Sequence, residues 1–222
     1  MRGFVASVVL AALVSDTACA AVSGFDVSIG IDSSTASCFA QESKDWMACR
    51  AWKNNASYDS NCCTSINLAQ NSGIATRSAY MTPCPQCSQT ARTQLDNMFN
   101  GLQAGCQSAW SGTAYLQISA SASSWYSTTS ENQRWYQTLV DGCTSRFGIT
   151  CAILSSYNDW VTLFGDETYT YGNTLDLWYV QNDGEASFSG FQPFGGWTSP
   201  SVKQYTTGSH LCGISSNLDY IA

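Results

Sequence analysis

The chain has 222 residues, of which 44% are hydrophobic and only 11% charged, and it carries a formal net charge of −7 with a single histidine. Lysines and arginines so few and so scattered exclude a nucleic-acid surface, which needs clustered cations. No Pro/Gly/Ser linker and no charge run divides the chain, which predicts one domain with one sizeable core.

Residues 1–20, MRGFVASVVLAALVSDTACA, place a cation at Arg2, an apolar run from Phe4 to Val14, and small residues at Ala18 and Ala20. That pattern predicts a secretory signal peptide over 1–20 and a mature domain over 21–222. The apolar run is short for a bilayer, and no later segment approaches about twenty consecutive apolar residues. The mature chain is therefore expected to lack a transmembrane segment and to be secreted, either extracellular or delivered to a lysosome-like vacuole.

Short apolar runs then alternate with helix-like segments. GFDVSI over 24–29 predicts a first strand; DWMACRAW, ATRSAYM, AYLQIS, TCAIL, LDLWYV and SVKQY predict later ones. Between ATRSAYM and AYLQIS, Leu95, Met98, Phe99 and Leu102 recur at i, i+3, i+4 and i+7, one face of an amphipathic helix. Farther on, Ser130 with Gln133 reads as a capping box, Trp135, Leu139 and Cys143 share a face, and Gly148 follows the helix end. From residue 172 onward strands and turns dominate. Strand-helix alternation of this kind predicts an α/β fold with a largely parallel sheet.

Eleven cysteines fall to ten once Cys19 leaves with the signal. In an oxidising compartment Cys38, Cys49, Cys62, Cys63, Cys84, Cys87, Cys106, Cys143, Cys151 and Cys212 can form up to five disulfides, with the connectivity left open by spacing. Cys84-Pro85-Gln86-Cys87 has redox or zinc spacing, but among paired cysteines it reads as structural. His210 stands alone without a G-x-S-x-G elbow, which argues against a Ser-His-Asp hydrolase. No metal and no cofactor is expected. Asn55-Ala56-Ser57 is a glycosylation acceptor.

FSGFQPFGGWTSPSVKQY from Phe188 to Tyr205, YMTPCPQC from Tyr80, and GFDVS from Gly24 resemble the secreted lysozymes of glycoside hydrolase family 25, especially their amoeba and nematode branch. The resemblance runs from Gly24 to Tyr220. It implies a single irregular β/α barrel, stapled by disulfides, whose last strands lack full helices. In that family one strand reads approximately L-D-I-E. The matching residues here are Leu116, Gln117, Ile118 and Ser119, so both acidic positions are neutral.

The consequence is chemical. Residues i and i+2 of a strand face the same side about 6.5–7 Å apart, so an acid-x-acid pair aims two carboxyls at one sugar, as glycoside hydrolysis requires. A glutamine amide and a serine hydroxyl cannot supply the proton, although both can hydrogen-bond a hydroxyl. Asp26 and Asp219 match two further family acids, with either a structural or a sugar-contact role. Among the aromatics Tyr80, Trp125, Tyr126, Trp178, Tyr179, Trp197 and Tyr205, the resemblance points to Tyr80 and Trp178 as sugar platforms. Leu154 stands where relatives carry a tyrosine. The expected sugar contacts are thus Asp26, Tyr80, Gln117, Trp178 and Asp219.

These features imply a lysozyme-like pseudoenzyme. Its partner would be a glycan, peptidoglycan or another amino-sugar polymer, or else it would act structurally outside the cell through self-assembly. The alternative is a muramidase that cleaves β-1,4 bonds of peptidoglycan with an acid relocated to Glu131 or Asp219.

Overall fold

The computed structural model describes residues 21–146 and 148–221; the signal peptide expected over 1–20 lies outside the described residues. The strands are β1 (Val22–Val27), β2 (Lys44–Lys53), β3 (Ser57–Tyr58), β4 (Thr76–Met81), β5 (Thr113–Ile118), β6 (Thr150–Ser155), β7 (Asp176–Val180), β8 (Val202–Leu211) and β9 (Ile214–Ile221). The helices are α1 (Ser33–Gln41), α2 (Ser60–Asn71), α3 (Ala91–Cys106), α4 (Thr129–Thr144) and α5 (Tyr157–Phe164).

The sheet runs β1-β9-β8-β7-β6-β5-β4-β2, and a further parallel pairing of β1 with β2 closes it into an eight-stranded barrel. Six neighbouring pairs are parallel, whereas β9 is antiparallel to both β8 and β1. The irregularity is local in origin. Cys212 (φ 56°) and Gly213 (φ 81°) form a two-residue turn between β8 and β9, and paired positive φ values favour a tight hairpin over a helical crossover.

Alternation along each strand divides the core into two layers. Trp46, Ala48, Tyr80, Tyr115, Ala152, Leu154, Trp178 and Val202 fill the barrel interior. Phe25, Met47, Ile153 and Leu177 face outward into the helical layer, where Phe25 stacks on Phe39 of α1 at 3.7 Å between centroids. The predicted face of α3, Leu95, Met98, Phe99 and Leu102, is buried. Among the described residues no helix lies between β7 and β8 or after them. The segment after β7 brings aromatic rings instead: Phe191 packs on Tyr179 at 4.8 Å, and Trp197 on Trp160 at 5.0 Å. Gly195 lies so close that a Cβ would sit 2.5 Å from the Trp197 ring. Lys203, 1% exposed, ties this segment down by donating to Asp183 Oδ2 at 2.7 Å and to the Glu185 carbonyl at 3.1 Å.

Each helix begins on a side-chain cap, from Asp32, Asp59, Thr90, Thr128 and Ser156, which satisfies backbone donors left open in the first turn. In α4 the capping box is Thr128 with Glu131, not Ser130 with Gln133. Thr128 Oγ1 donates to Glu131 Oε2 at 2.5 Å and accepts from the Glu131 N–H at 3.4 Å. Ser130 already lies inside the first turn. Trp135, half-buried, sits beside the buried Leu139 and Cys143.

All ten cysteines of the described residues are paired: Cys38–Cys212, Cys49–Cys62, Cys63–Cys106, Cys84–Cys87 and Cys143–Cys151. The first clips α1 to the β8–β9 turn. The C-x-x-C pair is held by Gln94, whose Oε1 accepts the Cys84 N–H at 3.0 Å while its Nε2 donates to the Cys84 carbonyl at 2.8 Å. No helix among the described residues is long and apolar enough to cross a membrane.

Candidate active site

Closure of the barrel brings β1 against β9, with Gly24 opposite Asp219 and Asp26 opposite Asn217. Both aspartates face inward and are enclosed, Asp26 at 2% and Asp219 at 0% exposure. Asp26 is held on both oxygens, by Gln204 Nε2 at 2.6 Å and Asn217 Nδ2 at 3.0 Å. Asp219 Oδ1 accepts the Trp178 indole N–H at 2.9 Å, and its buried Oδ2 has no hydrogen-bond partner among the described residues. The Asp26 charge acts on Asp219 across the barrel interior.

Burial raises the Asp26 carboxyl to about 6, against the opposing pull of its Asn217 and Gln204 hydrogen bonds. Burial, with the nearby Asp26 charge second, pushes Asp219 well above the usual carboxylate range. Two like charges this close in a low-dielectric core do not both ionise.

Trp178 is fully buried and Tyr80 is 5% exposed. Expected as sugar platforms, both instead serve as barrel filling. Trp46, Tyr80 and Tyr115 meet Trp178 edge-on with centroids 5.1, 6.1 and 4.9 Å away. A small barrel needs large inward side chains to fill its interior, and these four rings supply them. Leu154, 2% exposed, joins the same cluster.

Gln117 and Ser119 occupy the end of β5, half-exposed. Gln117 Oε1 accepts the Thr82 hydroxyl at 2.6 Å, which ties it to β4 on the inward face. Ser119 Oγ lies 3.4 Å from Asp159 Oδ1. Asp159, in the first turn of α5, also accepts the Ala120 N–H at 2.7 Å and, on its other oxygen, the Ser156 hydroxyl at 2.7 Å. Its carboxylate thus couples the end of β5 to the start of α5. Ser156-x-x-Asp159 is a legible helix-start signature, but its contact with β5 could not be read from the chain. Gln204 and Asn217 were missed for a similar reason, since an amide on a strand carries no signal of what it will face.

The proposed relocated acids lie elsewhere. Asp219 is sealed under Trp178, and Glu131 is engaged in the α4 cap on the outer surface. On the same end of the barrel as Gln117, Arg50 donates from Nη2 to the Ser28 carbonyl at 2.9 Å and approaches Asp59 at 4.0 Å. Amides, hydroxyls and one guanidinium can hold sugar hydroxyls, and the Asp159 carboxylate beside Ser119 already accepts hydrogen bonds on both oxygens.

The family profile of Lysozyme-like protein 1 matches residues 17–205. Among relatives, Probable GH family 25 lysozyme 2 of Dictyostelium discoideum is 32% identical over 200 residues, covering 90% of this chain and 91% of its own. In solved structures, the bacterial lysozyme from Streptomyces coelicolor superposes with a TM-score of 0.70 at 17% identity, over 90% of this chain and 91% of that one. A family GH25 lysozyme from Aspergillus fumigatus gives 0.69 at 17%, over 91% and 94%. Identities this low show a shared fold. The barrel, its disulfides and the full-length match with the amoeba relative establish that this chain belongs to the lysozyme-like proteins of glycoside hydrolase family 25.

Proposed function

We propose that the protein is a secreted, non-catalytic glycan-binding member of this family, directed at peptidoglycan or another amino-sugar polymer through the polar rim of its barrel. The observation that carries the proposal is the state of the two β5 positions. On the resemblance, Gln117 and Ser119 stand where the family carries its acid pair, and their side chains are engaged with Thr82 and Asp159. Asp26 and Asp219, which the resemblance matches to two further family acids, are enclosed, Asp26 by the Gln204 and Asn217 amides and Asp219 by the Trp178 indole. The disulfide content suits secretion. Among the described residues Ile29 is the large apolar side chain that stands exposed, so self-assembly through an apolar patch has little surface to use.

One observation favours the muramidase reading: Asp159 places a carboxylate 3.4 Å from Ser119 Oγ. Both of its oxygens, however, already accept hydrogen bonds. Cosedimentation with insoluble peptidoglycan, run beside a reducing-end assay, separates the two. Binding without release is expected; release that follows the purified protein and disappears in Asp159→Asn would establish the relocated acid instead.

A further inference from the structure

Beside the end of β5, outside the barrel, the surface carries a trough that the family chemistry does not use. One part, about 350 Å³, is lined by Tyr126, Glu131, Arg134, Trp135 and Thr138. Past Tyr126 and Glu131 it opens into a hollow of about 600 Å³ that reaches Gln86 of the C-x-x-C turn. A third depression of about 540 Å³ shares Gln86 and Tyr126 and ends at Ala120, the residue after Ser119. The trough therefore leads from the rim of the barrel to the flank of α4.

Its walls combine aromatic faces with an uncommitted indole N–H and guanidinium, and with Glu131, of which Oε2 alone is engaged in the α4 cap. Of eight tryptophans, six donate the indole N–H to a protein acceptor: Trp52, Trp110, Trp125, Trp160, Trp178 and Trp197. Among the described residues Trp135 does not, although it is only half-buried and its ring is fixed by an edge contact with Trp125 at 5.8 Å. Arg134 has no carboxylate partner among the described ion pairs. Tyr126 is immobilised because its hydroxyl donates to the Pro85 carbonyl at 2.8 Å. Rigid aromatic rings bind the apolar face of a pyranose at little entropic cost. A free indole N–H, a guanidinium and the Glu131 carboxylate supply the donors and acceptor that vicinal hydroxyls and an acetamido group require.

We infer that the Tyr126–Trp135 trough is a second carbohydrate-binding site, taking further units of an amino-sugar oligosaccharide whose chain continues from the barrel rim. The inference rests on the glycan-binding proposal for the class of ligand, but its location stands on the trough alone.

The test is calorimetric titration of the mature protein with chitohexaose, the β-1,4 hexamer of N-acetylglucosamine, and with soluble peptidoglycan fragments. Trp135→Ala and Arg134→Ala are compared with Gln117→Ala and with the ring-preserving Trp135→Tyr. Loss of one stacking contact should weaken binding roughly threefold to tenfold in Trp135→Ala, with a smaller loss in Arg134→Ala and near-wild-type binding in Trp135→Tyr. Arg134 is a surface side chain, so its variant remains informative should Trp135→Ala fold poorly. Wild-type affinity in both Trp135→Ala and Arg134→Ala, with weakening confined to Gln117→Ala, would overturn the trough and leave the rim. Weakening in the trough variants with none in Gln117→Ala would keep the trough and overturn the rim. No binding of either probe by the wild type would overturn both.

Discussion

Trp178 donates its indole N–H to Asp219 at 2.9 Å in the sealed centre of the barrel, so a residue expected to stack on a sugar instead packs inside the barrel against a buried acid. The aspartate pair it stabilises has a cost that depends on pH.

The Asp26 carboxyl is raised from 3.8 to about 6 and Asp219 is raised further, so the unfolded state releases these protons more readily than the folded state does. Their stabilising contribution is complete below about pH 4 and is lost as pH rises through 6, on the order of 3 kcal/mol for Asp26. Asp32 acts oppositely, since backbone and hydroxyl donors at the α1 cap lower it to about 2, and its contribution fades only in stronger acid. Thermal melts from pH 3 to 8 should therefore show maximal stability near pH 4, with a decline as pH rises through 6. Asp219→Asn, which removes the more strongly raised carboxyl, should flatten the decline above pH 6. A melting temperature that rises steadily from pH 5 to 8 would contradict the raised carboxyls.

The Cys38–Cys212 bridge spans 174 residues, whereas Cys84–Cys87 spans 3. Loop-closure entropy predicts that removing the long bridge costs about 5 kcal/mol and the short one about 2 kcal/mol. Denaturant titration of Cys38→Ser/Cys212→Ser against Cys84→Ser/Cys87→Ser should reproduce that order. Equal losses would mean that the unfolded chain is already restricted by the other bridges.

Restoring the acids at β5 tests whether the rim retains a productive geometry. In Gln117→Asp/Ser119→Glu, the new glutamate would lie beside Asp159, whose charge favours its protonated form. Reducing-end release above the wild-type background is expected, with an acidic optimum. It should fall short of the 10²–10⁴ that a well-placed general acid contributes, because Leu154 offers no hydrogen bond. Activity equal to that of the wild type would show that the surrounding positions have drifted too far.

Much of the molecule was legible from the chain. The α3 face and the order of strands through SVKQY follow from periodicity, and the cysteine set follows from a count. Helices α1, α2 and α5 were not, because short serine- and cysteine-rich segments such as SSTASCFAQ and SNCCTSINLAQN carry little apolar patterning. At the site, the neutral residues at 117 and 119 were plain, since a side chain's acidity belongs to the residue itself.

The linear chain determined which groups are present and which strands and helices alternate, because identity and local periodicity are properties of neighbours in sequence. Tertiary structure alone decided that Asp26 meets Gln204 and Asn217, 178 and 191 residues away. It also sealed Trp178, chose the five cysteine pairs, and brought Tyr126 and Trp135 to one trough. Burial and contact arise when a closed sheet sets its first strand against its last, and no local pattern encodes that closure.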